Sequence, residues 1–82
     1  MIRKSVTIES DMEARPIALL VQEAIQYSSS IHIEMDNKQI NAKSIMGMMS
    51  LRFGKGTSLT VVAEGSDEEN AVNGVEAFLM SH

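Results

Sequence analysis

The sequence predicts an α+β sandwich with the element order β-α-β-β-α-β-α. Three observations predict it. Stretches of period-2 alternation are interleaved with stretches of helical spacing. Short breaks of Ser, Asp, Asn or Gly separate them. The chain has 82 residues, room for one helical layer but not two, so one face of the sheet is expected to meet solvent.

The elements follow in order. Ile2, Lys4, Val6 and Ile8 alternate with Arg3, Ser5 and Thr7, the signature of a first strand. Asp11-Met12-Glu13 breaks the alternation. From Pro16 the period changes: Ile17, Leu20, Val21, Ala24 and then Tyr27 or Ser28 fall on one helical face. Pro16 is the single proline, and it stands in the first turn, where its missing N–H costs nothing. Ser28-Ser29-Ser30 ends that helix.

Ile31, Ile33 and Met35 alternate with His32 and Glu34, a second strand. Asp36-Asn37 fits a tight hairpin, because both tolerate left-handed backbone. Lys38 to Asn41 is the return strand, with Ile40 facing the core. Ser44 is a good helix cap, and the Met-rich run after it reads as a short second helix bounded by Gly54 and Gly56. On it, Met48 and Leu51 are expected to face the sheet, and Ile45, Met46 and Met49 to be partly exposed. Thr57 to Ala63 is the fourth strand, with Leu59, Val61 and Ala63 on one face. Ser66 and Glu69 stand at capping-box spacing ahead of a last helix carrying Ala71, Val75, Phe78 and Leu79. The polar alternates Arg3, Ser5, Thr7, His32 and Glu34 belong to the open face. The whole of 1–82 is expected to form one domain.

Composition narrows the function. The chain has no cysteine and a formal net charge of −4. That excludes a disulfide scaffold and a thiolate metal site. It disfavours direct nucleic-acid binding, which relies on Lys and Arg neutralising phosphates. No apolar run approaches the ~20 residues of a membrane span. The alternating first residues are not an apolar leader, so a cytoplasmic protein without a signal peptide is expected. No paired carboxylates, metal cluster or Gly-rich phosphate loop stands out, so neither enzymatic activity nor a cofactor is expected.

Several segments carry a family resemblance. Ala14-Arg15-Pro16, Leu20-Val21-Gln22, Lys43-Ser44-Ile45-Met46-Gly47-Met48-Met49-Ser50-Leu51 and Ala63-Glu64-Gly65-Ser66-Asp67-Glu68 are similar to HPr, the histidine phosphocarrier of the bacterial sugar phosphotransferase system. The similarity covers nearly the whole chain, and Asn41 to Leu51 is its most specific part. It implies an open-faced sandwich: a four-stranded antiparallel sheet with three helices on one face.

The sequence departs from the family at one position. Family members read Gly-Leu-His-Ala-Arg-Pro, and the His accepts phosphate from enzyme I. Here the six positions read Asp11-Met12-Glu13-Ala14-Arg15-Pro16, so Glu13 stands where the carrier His is expected. The two His of this chain, His32 and His82, are expected to be ordinary surface residues. Glu13 has three readings: a carboxylate stabilised by the helix dipole, by about 0.3–1 kcal/mol, a partial mimic of phosphohistidine, or a role that the residues do not reveal.

The resemblance preserves a second site. In HPr of low-GC Gram-positive bacteria, HPr kinase/phosphorylase phosphorylates the serine of Lys-Ser-Ile-Met-Gly, which corresponds to Ser44. Retaining that serine while lacking the carrier His resembles the catabolite-repression branch of the family, although that branch has Gln where this chain has Glu13. The resemblance then implies a regulator. Phosphorylated at Ser44, it binds catabolite control protein A, a LacI-type repressor, and touches no DNA itself. Arg15 pairs with acidic groups on the partner, and Ile45, Met46 and Met49 form the apolar contact. The alternative is a divergent phosphotransferase-system component that docks on the system's enzymes or carries phosphate by another route.

Overall fold

The computed structural model describes residues 1–9, 11, 13–50 and 54–81, and the backbone alone of Ala14. Seven elements follow in the expected order: β1 (Ile2–Thr7), α1 (Ala14–Ile25), β2 (Ser30–Met35), β3 (Lys38–Asn41), α2 (Ile45–Met49), β4 (Ser58–Glu64) and α3 (Glu68–Ser81). The strands form one antiparallel sheet in the order β1-β4-β2-β3. Consecutive β2 and β3 are neighbours, whereas β4 inserts between β1 and β2.

The registers put the apolar alternates on one face. Val6 lies opposite Leu59, and Ile33 lies between Val61 and Ile40. Helix α1 turns Ile17, Leu20, Val21 and Ala24 toward them, and α3 turns Ala71, Val72, Val75 and Leu79. All are buried in a single cluster. Each large aliphatic side chain removed from water there contributes roughly 1.5–3 kcal/mol. Phe78 and Tyr27 pack against the edge of this core, and Ser28 is exposed.

The β2–β3 turn is the tight hairpin expected. Asp36 and Asn37 have φ of 50° and 65°, the left-handed pair that a type I′ turn requires. Several boundaries differ from expectation. Helix α1 begins at Ala14, so Pro16 is its third residue, and it ends at Ile25 before the serine run. Strand β4 runs one residue later than expected at each end.

The start of α3 is a correction. The box does not use Ser66 and Glu69. Glu68 reaches back instead, its carboxylate accepting the Gly65 N–H at 3.1 Å. Asp67 turns the other way and takes the N–H groups of Ser28 and Ser29, each at 2.9 Å, and the Ser29 hydroxyl. These bonds, the Ser29 hydroxyl foremost, hold the Asp67 carboxyl below its ordinary range. The stability they supply is therefore present above that range and lost as acid protonates the group. Gly65 (φ 154°) is needed at this junction: a Cβ there would stand 2.7 Å from the Ser29 Cα.

Arg3, Ser5 and Thr7 are exposed on the open face, while His32 and Glu34 are half-buried there. Arg3 and Glu34, on strands either side of β4, form an ion pair across it. Gln39 also donates to Glu34, at 2.9 Å. The Arg3 guanidinium lowers the Glu34 carboxyl from its usual range. Val62, opposite both Arg3 and His32, is 4% exposed although it belongs to this otherwise polar face. His82 and Leu51 lie outside the described residues.

Candidate functional site

Ser44 is the residue from which α2 starts. Its backbone is extended (φ −98°, ψ 110°), and its Oγ accepts the Gly47 N–H at 3.2 Å. It is the N-cap that its residue type suggested. Gly47 is fitted to this spot, since a Cβ would stand 3.2 Å from the Ile40 side chain of β3. The small residue lets α2 lie close to β3 and brings its N–H to Ser44. No carboxylate stands three residues after Ser44, so no capping-box side chain reaches back to it; the Ser44 N–H is taken by the Asn41 carbonyl instead.

Helix α2 divides its side chains sharply. Met48 is fully buried and anchors the helix in the core. Met46 is 84% exposed and Ile45 is 44% exposed. Met49 is half-buried and packs against the core edge. Ile45, Met46, Met49 and Ser50 together line a shallow apolar depression beside Ser44. Methionine suits such a surface because its unbranched, polarisable side chain repacks readily against different shapes.

Glu13 stands at the same place on α1 that Ser44 occupies on α2. It is the N-cap residue, in extended backbone (φ −93°, ψ −173°), but its side chain makes no cap hydrogen bond. The sequence accounts for part of this, by removing one of the two possible donors. A capping side chain seeks the N–H of the second or third helical residue. Here the third is Pro16, which has no N–H. The Glu13 carboxylate is left exposed. Arg15, second in the helix, is also exposed and has no ion-pair partner among the described residues. A cation in a first helical turn is opposed by the helix dipole, so its position there gains the fold nothing.

The approach to Ser44 contains contacts that the sequence did not suggest. Lys43 N–H donates to Asn41 Oδ1 at 2.9 Å, and Lys43 Nζ donates to the Tyr27 carbonyl at 2.6 Å. Elsewhere, Asp11 Oδ1 accepts the Lys55 N–H at 2.8 Å, tying the segment before α1 to the one before β4. The Lys43–Asn41 bond is a local Asn turn; period and spacing carry no signal for the Lys43–Tyr27 and Asp11–Lys55 pairings, because both join distant parts of the chain.

Beside α2 lie a serine hydroxyl and an apolar depression, and at the start of α1 lie an exposed carboxylate and guanidinium. Among the described residues no group of three or more His, Asp or Glu could hold a metal ion, and no helix is long and apolar enough to cross a membrane.

Comparison with known proteins agrees with this geometry. The family model described as the PTS HPr component phosphorylation site matches residues 2–81. The HPr-like protein Crh of Halalkalibacterium halodurans is 47% identical over 81 residues, with 96% of each chain covered. That of Bacillus subtilis is 45% identical over 74 residues, covering 90% of this chain and 87% of the relative. Among solved structures, a phosphocarrier protein HPr from Bacillus anthracis superimposes with a TM-score of 0.90 at 44% identity, covering 96% of each chain.

Proposed function

Because the chain belongs to the HPr family, we propose that it acts as a phosphate-switched regulator of carbon catabolite repression, not as a phosphate carrier. Its relatives named Crh support the regulatory role. The observation that carries the mechanism is Ser44 as the cap of α2, with the exposed Ile45 and Met46 beside it.

In this mechanism HPr kinase/phosphorylase transfers the γ-phosphoryl group of ATP to Ser44. The Oγ attacks phosphorus, the bond to the bridging oxygen of ADP breaks, and the hydroxyl proton leaves to a base on the kinase. The phosphate adds about −1.5 to −2 charge at the positive end of α2, where the dipole and free N–H groups favour it. The fold stays as it is, and the surface potential beside the apolar depression changes. The phosphorylated domain then docks on catabolite control protein A through Ile45, Met46 and Met49. Arg15 contributes a charge to the same contact.

Glu13 makes ordinary carrier chemistry unfavourable. A carboxylate would have to form an acyl phosphate in place of a phosphoimidazole, and enzyme I would have to accept it. The test is intact mass after two separate incubations. With HPr kinase/phosphorylase and ATP, the protein gains one phosphate, and Ser44→Ala gains none. With enzyme I and phosphoenolpyruvate, no phosphate is gained. A phosphate from phosphoenolpyruvate would establish instead a component of the sugar phosphotransferase system.

A further inference from the structure

Between the end of β3 and the start of α2 the chain has two residues, Ala42 and Lys43, in which to reverse direction and deliver Ser44. Four hydrogen bonds fix that passage. Ala42 N–H donates to the Ile31 carbonyl at 2.9 Å, and Ser44 N–H donates to the Asn41 carbonyl at 3.0 Å. Lys43 N–H donates to Asn41 Oδ1 at 2.9 Å, a side-chain mimic of a backbone turn. Lys43 Nζ donates to the Tyr27 carbonyl at 2.6 Å. Ala42 is fully buried between these ties.

The Lys43 bond has its own logic. Tyr27 follows the end of α1, where carbonyls lack helical partners and the dipole favours a cation. Helix α1 has no basic residue in its last turn. Lys43 supplies that cation from sixteen residues away. Its charge is committed inside the molecule and is not a free cation beside Ser44.

We infer that Asn41 and Lys43 are positioning residues for Ser44, holding the 41–44 turn so that its hydroxyl is presented to an incoming kinase next to Ile45 and Met46. This rests on the assignment of Ser44 as the phosphate acceptor. It adds that the kinase meets a formed turn and not a flexible Lys-Ser sequence. Loosening the turn spreads the hydroxyl over unproductive positions, so the loss falls on the transfer step.

The experiment measures kcat and KM for ATP-dependent phosphorylation of the whole chain by HPr kinase/phosphorylase, alongside amide hydrogen exchange. Asn41→Ala and Lys43→Met are each expected to lower kcat/KM about fivefold, the scale of one hydrogen bond, mainly through kcat. Exchange should speed up at Lys43 and Ser44 and stay slow at Ile33 and Val61. The double variant should lose less than the product of the two, because both side chains hold one turn. Asn41→Asp, whose carboxylate still accepts the Lys43 N–H, should retain activity. Normal kinetics in Asn41→Ala despite faster exchange would overturn the inference while leaving Ser44 as the acceptor. Loss confined to Lys43→Met, with Lys43→Arg and Asn41→Ala both normal, would overturn it in favour of a direct Lys43–kinase contact. Wild-type protein that takes no phosphate would remove the Ser44 assignment itself.

Discussion

Ser44 and Glu13 both occupy the residue before a helix, and they use it in opposite ways. The Ser44 oxygen accepts the N–H of the third helical residue, Gly47. Glu13 makes no cap bond, and its third helical residue, Pro16, has no N–H to offer. One group is part of the fold and so is anchored by it. The other is left to solvent. Equivalent positions can thus hold a side chain bonded into its helix or one left to solvent, and whether the residue three places on offers an N–H contributes to the difference.

That contrast can be broken or sharpened by substitution. The largest effect is expected on the side of α2 that anchors Ser44. Met48→Ala should cost about 2–5 kcal/mol of unfolding free energy in urea titration, since the side chain is fully buried. Met46→Ala, on the exposed side, should change stability by less than about 0.5 kcal/mol. Equal costs would mean that α2 is not seated on Met48. Next, Met46→Asp should weaken binding of the Ser44-phosphorylated domain to catabolite control protein A by about thirtyfold, the lower end of a hot-spot loss, measured by calorimetry. Unchanged affinity would move the docking surface elsewhere.

The cap itself should be worth about 1 kcal/mol, so Ser44→Ala lowers the unfolding midpoint even without phosphorylation. Glu13→Ala should stay within about 0.5 kcal/mol of wild type. A loss of cap size there would show that the carboxylate supports the helix after all. The sharpest version restores the missing donor. In a Pro16→Ala background, Glu13→Ser should be more stable than Glu13→Ala by about 0.5–1 kcal/mol. In the Pro16 protein the same comparison should give a smaller difference.

Much of this site was legible before the fold. Residue type and the Met-rich run behind it point to Ser44 as a helix cap, which the structure makes it; only the family resemblance points to it as a phosphate acceptor. Ile45 and Met46 were expected to be exposed and Met48 buried, and they are. Local rules govern these features, so local sequence contains them. The α3 box was misplaced by one residue, because Asp67 was drawn to Ser28 and Ser29 from 38 or more residues away. Burial of Val62 was missed for a related reason. Its face is polar by alternation, and the Arg3–Glu34 pair that spans its strand joins residues 31 apart.

The sequence by itself determined the order of the seven elements, which face of each is apolar, the Asp36-Asn37 turn and the capping of α2 by Ser44. All of these depend on neighbours within a few residues, through helical or strand period and through turn chemistry. Tertiary structure alone decided that β4 inserts between β1 and β2, that Asp67 joins α3 to the end of α1, and that the Lys43 ammonium closes on Tyr27. Those partners are distant along the chain. They meet because burying one apolar face of the sheet fixes where every loop must pass, and a loop's hydrogen bonds form with whatever packing places beside it.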